Sequence, residues 1–267
     1  MKKEKPDLVV SSIMRANLIS RIACKITGTV IVGTFVNDSY GAVRVEEHKK
    51  RGQFAKFRFF WLLDKWTSRL CKHWISNSSY IASSNAKALG INPAEIHVVY
   101  RGRDAKNINP WSPSNIDDKQ GFKFVYIGRL IKIKGVLELI RALSILRKSY
   151  PNFHLDLYGA GTLAKEIQTY AEKEQIQKHI TLHGVVPNGI LKLYEANCFV
   201  FPSQSEGFSG SLIEAMLTGI PIIASNIPMN LEAIESGKTA LVHVTKNPED
   251  LAEKMKEMIA AYPEMIK

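Results

Sequence analysis

The sequence predicts an α/β protein built from two Rossmann-like, doubly wound parallel-sheet domains, the first of them incomplete. Three observations predict it. Short runs rich in Val, Ile and Phe alternate with stretches of helical periodicity. Those runs are apolar almost throughout, as strands buried on both faces must be. An Asn-, Pro-, Ser- and Asp-rich segment around 103–121 separates a front part with four such runs from a rear part with six. The expected division is a first domain over 1–105, a linker over 106–121 and a second domain over 122–267.

In the front part, strands are expected at DLVVSS (7–12), TVIVGTF (29–35), SYIASS (79–84) and IHVVY (96–100), with helices near 14–26 and 50–74. No glycine-rich turn follows the opening strand, and four strands make a short sheet for this architecture. The rear part is fuller. Strands are expected at FKFVYIG (122–128), FHLDLYG (153–159), ITLHG (180–184), CFVFPS (198–203), PIIAS (221–225) and ALVHV (240–244). Between the first two, GVLELIRALSILRKSY repeats apolar residues at helical spacing until Pro151 stops it. Further helices are expected at about 163–175, 188–196, 211–218, 229–236 and 248–261. Ligands of such a fold gather at the carboxyl ends of the strands.

Composition narrows the function classes. Of 267 residues, 45% are hydrophobic and 23% charged, which suits a globular protein. Cys24, Cys71 and Cys198 lie far apart and form no CxxC pair, which argues against a disulfide framework or a zinc site and suits a reducing cytoplasm. No apolar run reaches the roughly 18–20 residues of a membrane span, and MKKEKPDLVV lacks the apolar core of a signal peptide. A cytoplasmic location is expected. The net charge of +11 is uneven: residues 1–74 hold 15 Lys and Arg against 6 Asp and Glu, the remainder 21 against 19. An anionic partner is expected at the front of the chain.

Candidate chemistry lies in the rear part. VYIGRLIKIKG (125–135) sets Gly128 and Arg129 at a strand's carboxyl end and Lys134 five residues on, before a helix. Two cations there can cradle a diphosphate, and can equally be ordinary surface charges. LYGAGTL (157–163) places Gly159 and Gly161 in a strand–turn–helix, where glycine allows close backbone approach to a ligand or simply a tight turn. In SEGFSGSLIEAM (205–216), Ser211 and Glu214 fit the S-x-x-E capping box. Phe208, Ser209, Gly210 and Ser211 would offer backbone N–H groups at that helix start. Glu214 also has the two oxygens needed to clamp a ribose diol. Glu206 precedes the helix and has no capping duty; a solvated loop carboxylate is the plain alternative.

The order IGRL–KG, LYGAG, LHG, FPSQSEGFSGSLIEAM and GIPIIAS resembles the C-terminal domain of family 4 (group 1) retaining glycosyltransferases, which have the GT-B fold. The resemblance covers roughly 122–262 and includes the family's Glu–seven residues–Glu motif at Glu206 and Glu214. PDLVVSS–MRANLISRIACKITG and SNAKALGINPAEIHVVYRGRD are similar to the later part of its N-terminal domain. The resemblance implies transfer of a sugar from a nucleotide-diphosphate donor to a hydroxyl of a glycan or lipid-linked acceptor, in polysaccharide or cell-envelope synthesis. Arg129 and Lys134 would neutralise the diphosphate as it leaves, Glu206 would lie against the transferred sugar, and Glu214 would hold the ribose. Backbone groups of Phe208 to Ser211 would meet sugar and phosphates. Val185 would line the nucleobase pocket, with Gly184 allowing that approach. No metal or other cofactor is expected. His183 receives no role.

Two departures from the family stand out. About 80 or more residues that usually open the N-terminal domain are expected to be absent, along with the final helix that usually crosses back to it. Where the family often carries a histidine before Asn-Asp, this chain has Val36, followed by Asn37 and Asp38. The alternative function is therefore a nucleotide-sugar-binding half-enzyme that needs a second chain.

One front stretch remains. HKKRGQFAKFRFFWLLDKWTSRLCKHW (48–74) holds eight Lys and Arg, seven Phe and Trp and one acid, Asp64. It reads either as a domain helix packed on the sheet or as an interfacial helix on anionic lipid. Nucleic-acid binding uses the same ingredients, but no recognisable nucleic-acid module accompanies them and none is expected as a partner.

Overall fold

The computed structural model describes residues 4–106, 108–116 and 121–265. It forms two compact units, one of residues up to Arg101 together with Glu206–Phe208, the other of Gly102–Ser205 and Ser209 onward. Each contains its own all-parallel sheet.

In the first unit, β1 (Leu8–Ser11), β2 (Val30–Phe35), β3 (His73–Ser76) and β4 (Ile96–Val98) lie in the order β1-β2-β3-β4. The helices are α1 (Met14–Thr27), α2 (Ala42–Lys50), α3 (Phe54–Ser68) and α4 (Ser79–Leu89). Two expectations fail here. SYIASS is the start of α4, not a strand, and the third strand is HWIS (73–76), whose first two residues end the stretch expected to be helical. The cause is local. The Ser78 hydroxyl accepts the Ile81 N–H at 3.2 Å, and Gly90 closes the helix at φ 71°. Ile81, Ala82, Asn85, Ala86 and Leu89 bury one face at helical spacing. HWIS pairs with β2 and β4 because Trp74, fully buried, stacks on Phe35 with ring centroids 4.5 Å apart. Gly33 makes room, since a Cβ there would collide with the indole.

The expected helix over 50–74 is thus α3 alone, separated from α2 by Gly52 at φ 65°. Its buried positions are polar: Asp64, Thr67 and Ser68. Arg21 of α1, fully buried, donates to Asp64 Oδ1 at 2.6 Å and to Thr67 Oγ1 at 3.2 Å, and its guanidinium lies 4.7 Å from the Trp74 ring centroid. The Tyr40 hydroxyl donates to the other Asp64 oxygen; burial first, then the Asp64 charge, pushes that phenol well above its ordinary range. The opposite side of α3 exposes Phe59, Leu62 and Trp66 at spacings of three and four. On α1, Ile19, Ile22 and Ile26 are exposed in the same way.

In the second unit, β5 (Phe122–Ile127), β6 (Phe153–Tyr158), β7 (Ile180–Gly184), β8 (Cys198–Phe201), β9 (Ile222–Ser225) and β10 (Leu241–His243) form one sheet. Its order is β10-β9-β8-β5-β6-β7, so the chain winds outward in one direction from β5 and in the other from β8. All six expected strands are present, and both faces are covered. Alternate residues Phe124, Leu155, Leu157 and Val200 face a core with α5 (Val136–Leu146), α6 (Ala164–Lys173) and α9 (Pro248–Met265). Val125, Phe199, Phe201 and Ala224 face a second core with α7 (Gly210–Thr218). Two expected helices are weaker than their spacing suggested: Gly189–Glu195 is 3-10, and only the short α8 (Pro228–Leu231) overlaps 229–236. The Pro/Asn-rich segment is pinned where it is described. Trp111 receives no solvent-loop role: its N–H donates to Thr218 O at 2.7 Å and its indole N–H to Ala196 O at 2.9 Å. Residues 107 and 117–120 of the expected linker lie outside the described residues.

Candidate functional site

In a doubly wound sheet, the crevice for ligands opens where two adjacent strands send their chains in opposite directions. Here that point lies between β5 and β8, which are hydrogen-bonded neighbours. The loop after β5 carries Gly128, Arg129 and, through a 3-10 turn over Lys132–Lys134, Lys134. Leu130, 1% exposed, plugs this loop into the core and leaves Arg129 exposed and Lys134 half-buried. Gly135 then turns at φ 68°, a conformation for glycine, against the Pro202 carbonyl, which a Cβ would strike. The loop after β8 is tied to it. Gln204 N–H donates to Ile133 O at 2.9 Å, and its side-chain amide donates to Glu138 Oε1 at 2.9 Å. Two cations and the start of α7 are thereby carried on loops stitched together at the switch point.

The start of α7 differs from the expected capping box. The helix begins at Gly210 with Ser209 as its N-cap residue, so Ser211 lies inside the first turn, one hydroxyl 3.2 Å from the other. Glu214 therefore falls in the second turn, too far along to reach back to a cap. Its carboxylate instead accepts from Arg103 Nε at 2.7 Å, with the two side chains 29% and 23% exposed. Arg103 escaped the sequence reading; the signal was present in RGRD, two arginines directly after the β4 run. The first-turn N–H groups of Gly210 and Ser211 carry the positive end of the helix dipole.

Gly159 and Gly161 approach protein backbone closely: a Cβ on either would collide with the Gly128 or Leu130 carbonyl. Gly128 N–H donates to Tyr158 O at 2.9 Å, Leu130 N–H to Ala160 O at 2.9 Å, and Gly159 N–H to Gly184 O at 2.7 Å. The loops after β5, β6 and β7 are therefore one laced layer. Gly184 takes φ 72° with open space around it, and Val185 is 77% exposed. Glu206 and Phe208 group with the first unit, where both are half-buried and the Phe208 ring lies 5.1 Å from that of Tyr100.

At the Val36 position, Asn37 and Asp38 are engaged within the first unit. Asn85 Nδ2 donates to Asn37 O at 3.1 Å and Ser84 Oγ to Asp38 Oδ1 at 2.6 Å. Cys24, Cys71 and Cys198 are buried free thiols. Among the described residues, no three His, Cys, Asp or Glu side chains gather to hold a metal ion, and no helix is long and apolar enough to cross a membrane.

Residues 107–265 match the family described as Glycosyl transferases group 1, and residues 1–107 match Glycosyltransferase Family 4. The capsular polysaccharide biosynthesis glycosyltransferase CapH of Staphylococcus aureus is 29% identical over 186 residues, 68% of this chain and 51% of that protein. An Escherichia coli UDP-Gal:alpha-D-GlcNAc-diphosphoundecaprenol alpha-1,3-galactosyltransferase is 29% identical over 92% of this chain and 68% of its own length. The chain thus spans about half the length of CapH. Among solved structures, Anabaena Alr3699/HepE in complex with UDP superposes with a TM-score of 0.83 over 99% of this chain and 72% of its own, at 19% identity. Sucrose-phosphate synthase from Thermosynechococcus elongatus gives 0.83 over 99% and 67%, at 18% identity. The two parallel-sheet domains have the GT-B fold, the first with four strands, and the chain belongs to the group 1, family 4 glycosyltransferases.

Proposed function

We propose that this chain carries the donor site of a retaining glycosyltransferase that moves a sugar from a nucleoside diphosphate to an acceptor hydroxyl on a glycan or lipid-linked carrier. The observation that carries the reading is the stitching of the Arg129/Lys134 loop to the β8–α7 loop at the switch point, through Gln204 and Ile133. A diphosphate seated there meets two cations and a helix N-terminus, which stabilise charge on the departing group without any metal. Glu214 and Val185 belong to the ribose and nucleobase ends, and Glu206 to the transferred sugar. In this reading the bond from the anomeric carbon to the diphosphate oxygen breaks while the acceptor oxygen bonds to the same face. The hydroxyl proton passes to the leaving oxygen. UDP and UDP-glucose are the first probes, because structures of the Anabaena protein contain them. Donor-hydrolysis and transfer assays with UDP-glucose, without and with EDTA, test the reading; turnover unchanged by Lys134→Ala would sink it.

A second reading is a nucleotide-sugar-binding half-enzyme. β1 ends the order of its sheet, an edge to which a further strand from a second polypeptide can pair, and Leu8 (51%) and Val10 (60%) are exposed on one face of that strand. Saturable UDP binding without turnover, restored by adding such a segment, would favour it. The exposed Phe59, Leu62 and Trp66 of α3, with Arg58, Lys65 and Arg69 on the same helix and its end, support attachment to an anionic membrane on the cytoplasmic side.

A further inference from the structure

His183 has no part in the donor reading, yet the sheet goes out of its way to hold it. Along β6 and β7, Asp156 pairs with Thr181 and Leu157 with Leu182, but Tyr158 pairs with Gly184. His183 is thus the extra residue of a bulge, at the carboxyl end of the edge strand. Bulges loosen the ladder and re-aim a side chain. Here the imidazole Nε2 donates to Asp156 Oδ1 at 2.6 Å, and the ring lies flat on Tyr158, with centroids 4.4 Å apart and planes at 11°. Asp156 is 4% exposed, and Lys123 Nζ holds its second oxygen at 3.0 Å. His154, 3.6 Å from the same carboxylate, spends its Nε2 on Thr181 Oγ1 at 2.8 Å. The next residue along, Gly184, accepts the Gly159 N–H. A bulge that would otherwise leave the end of β7 loose is therefore clamped from a buried carboxylate immediately before Gly184 and Val185.

We propose that Asp156 and His183 are positioning residues, which fix the Gly184–Val185 turn as the nucleobase end of a nucleoside-diphosphate site. Backbone groups select a base only if their directions are fixed, and this turn follows a bulge and leads into Val185, a residue 77% exposed. The inference rests on the donor reading above, and its test separates the two.

The test is calorimetric titration of the full chain with UDP, GDP and ADP, and in parallel with inorganic pyrophosphate. Wild type that binds none of the nucleotides overturns the donor reading and this proposal with it. Where wild type binds, His183→Phe keeps the stacking on Tyr158 and removes the bond to Asp156. It should weaken the best nucleotide about tenfold, the effect of one misplaced hydrogen-bonding group, and leave pyrophosphate affinity unchanged. Asp156→Asn should do the same, and His183→Gln, which retains an N–H donor, should recover part of the loss. Melting temperatures of each variant identify any that fail to fold, and the His183 variants carry the test if Asp156→Asn does. Unchanged nucleotide affinity in folded variants, or equal loss for nucleotide and pyrophosphate, overturns the proposal.

Discussion

Arg103 donates through Nε to Glu214 at 2.7 Å, so the carboxylate assigned to the ribose is oriented by an arginine that stands 111 residues earlier in the chain. One Glu214 oxygen is taken by this bond, and a carboxylate retains acceptor capacity for a diol. Because both side chains are partly exposed, the pair itself should add less than about 1 kcal/mol to stability. Glu214→Ala should therefore leave the melting temperature almost unchanged and weaken UDP binding about tenfold or more. Wild type should prefer UDP over its 2′-deoxy analogue, and Glu214→Ala should lose that preference. Equal preference in both proteins would remove Glu214 from the ribose.

The buried Arg21–Asp64 pair behaves differently. Removing one partner leaves the other charge without compensation in the interior, which costs about 3–5 kcal/mol. Asp64→Ala should strongly lower the urea midpoint, and an Arg21→Met, Asp64→Leu double variant should recover much of it. A single variant as stable as wild type would mean that the pair does not organise α1 against α3.

Acid should destabilise the chain in two windows. Burial holds His154 below its ordinary value against the pull of Asp156, and burial likewise holds His243 down against its bond to the Val244 carbonyl. Both stay neutral in the folded chain while the unfolded chain takes up protons. Their stabilisation is complete above the unfolded value of about 6.5 and is lost as pH falls towards their folded values. Burial also works to raise the Asp156 carboxyl, but the bonds from His183 and Lys123 overcome it and leave it low. That contribution is complete above about pH 3.9 and is lost as pH falls through the folded value. The urea midpoint should drop as pH falls below about 6.5, less so in His154→Gln. A flat profile there would contradict the assigned burial effects.

Membrane attachment has its own test. The Phe59/Leu62/Trp66 stripe should carry the chain down with vesicles of anionic phospholipid and leave it in solution with zwitterionic ones. Phe59→Ser with Trp66→Ser should abolish co-sedimentation without loss of stability, since both rings are more than half exposed. Sedimentation that survives the double variant would move the attachment elsewhere.

How much of this was legible in the sequence varies with the physics involved. In the second sheet β6, β8 and β9 were readable because they are buried on both faces, and that burial writes continuous apolar stretches into the chain. HWIS was not readable, because β3 is four residues long and its strand character lies in the fit of Trp74 between Gly33 and Phe35. SYIASS looked like a strand because β-favouring Tyr and Ile stand beside serines, and one hydroxyl, that of Ser78, turned it into a helix start. The Ser211–Glu214 box failed by a shift of two residues in the cap. Arg103 and the His183–Asp156 clamp depend on partners 111 and 27 residues away, which no local spacing can supply.

In the proposed donor site, Arg129 and Lys134 hold a nucleoside diphosphate at the β5–β8 switch point. Calorimetric titration of wild type and of Lys134→Ala with UDP, GDP and ADP is the decisive experiment. Wild type should show one-to-one saturable binding of at least one nucleotide, weakened about 10- to 100-fold in Lys134→Ala, the range for a lost charge-assisted contact. Binding of none by the folded wild-type chain, or equal binding by both proteins, would contradict that assignment.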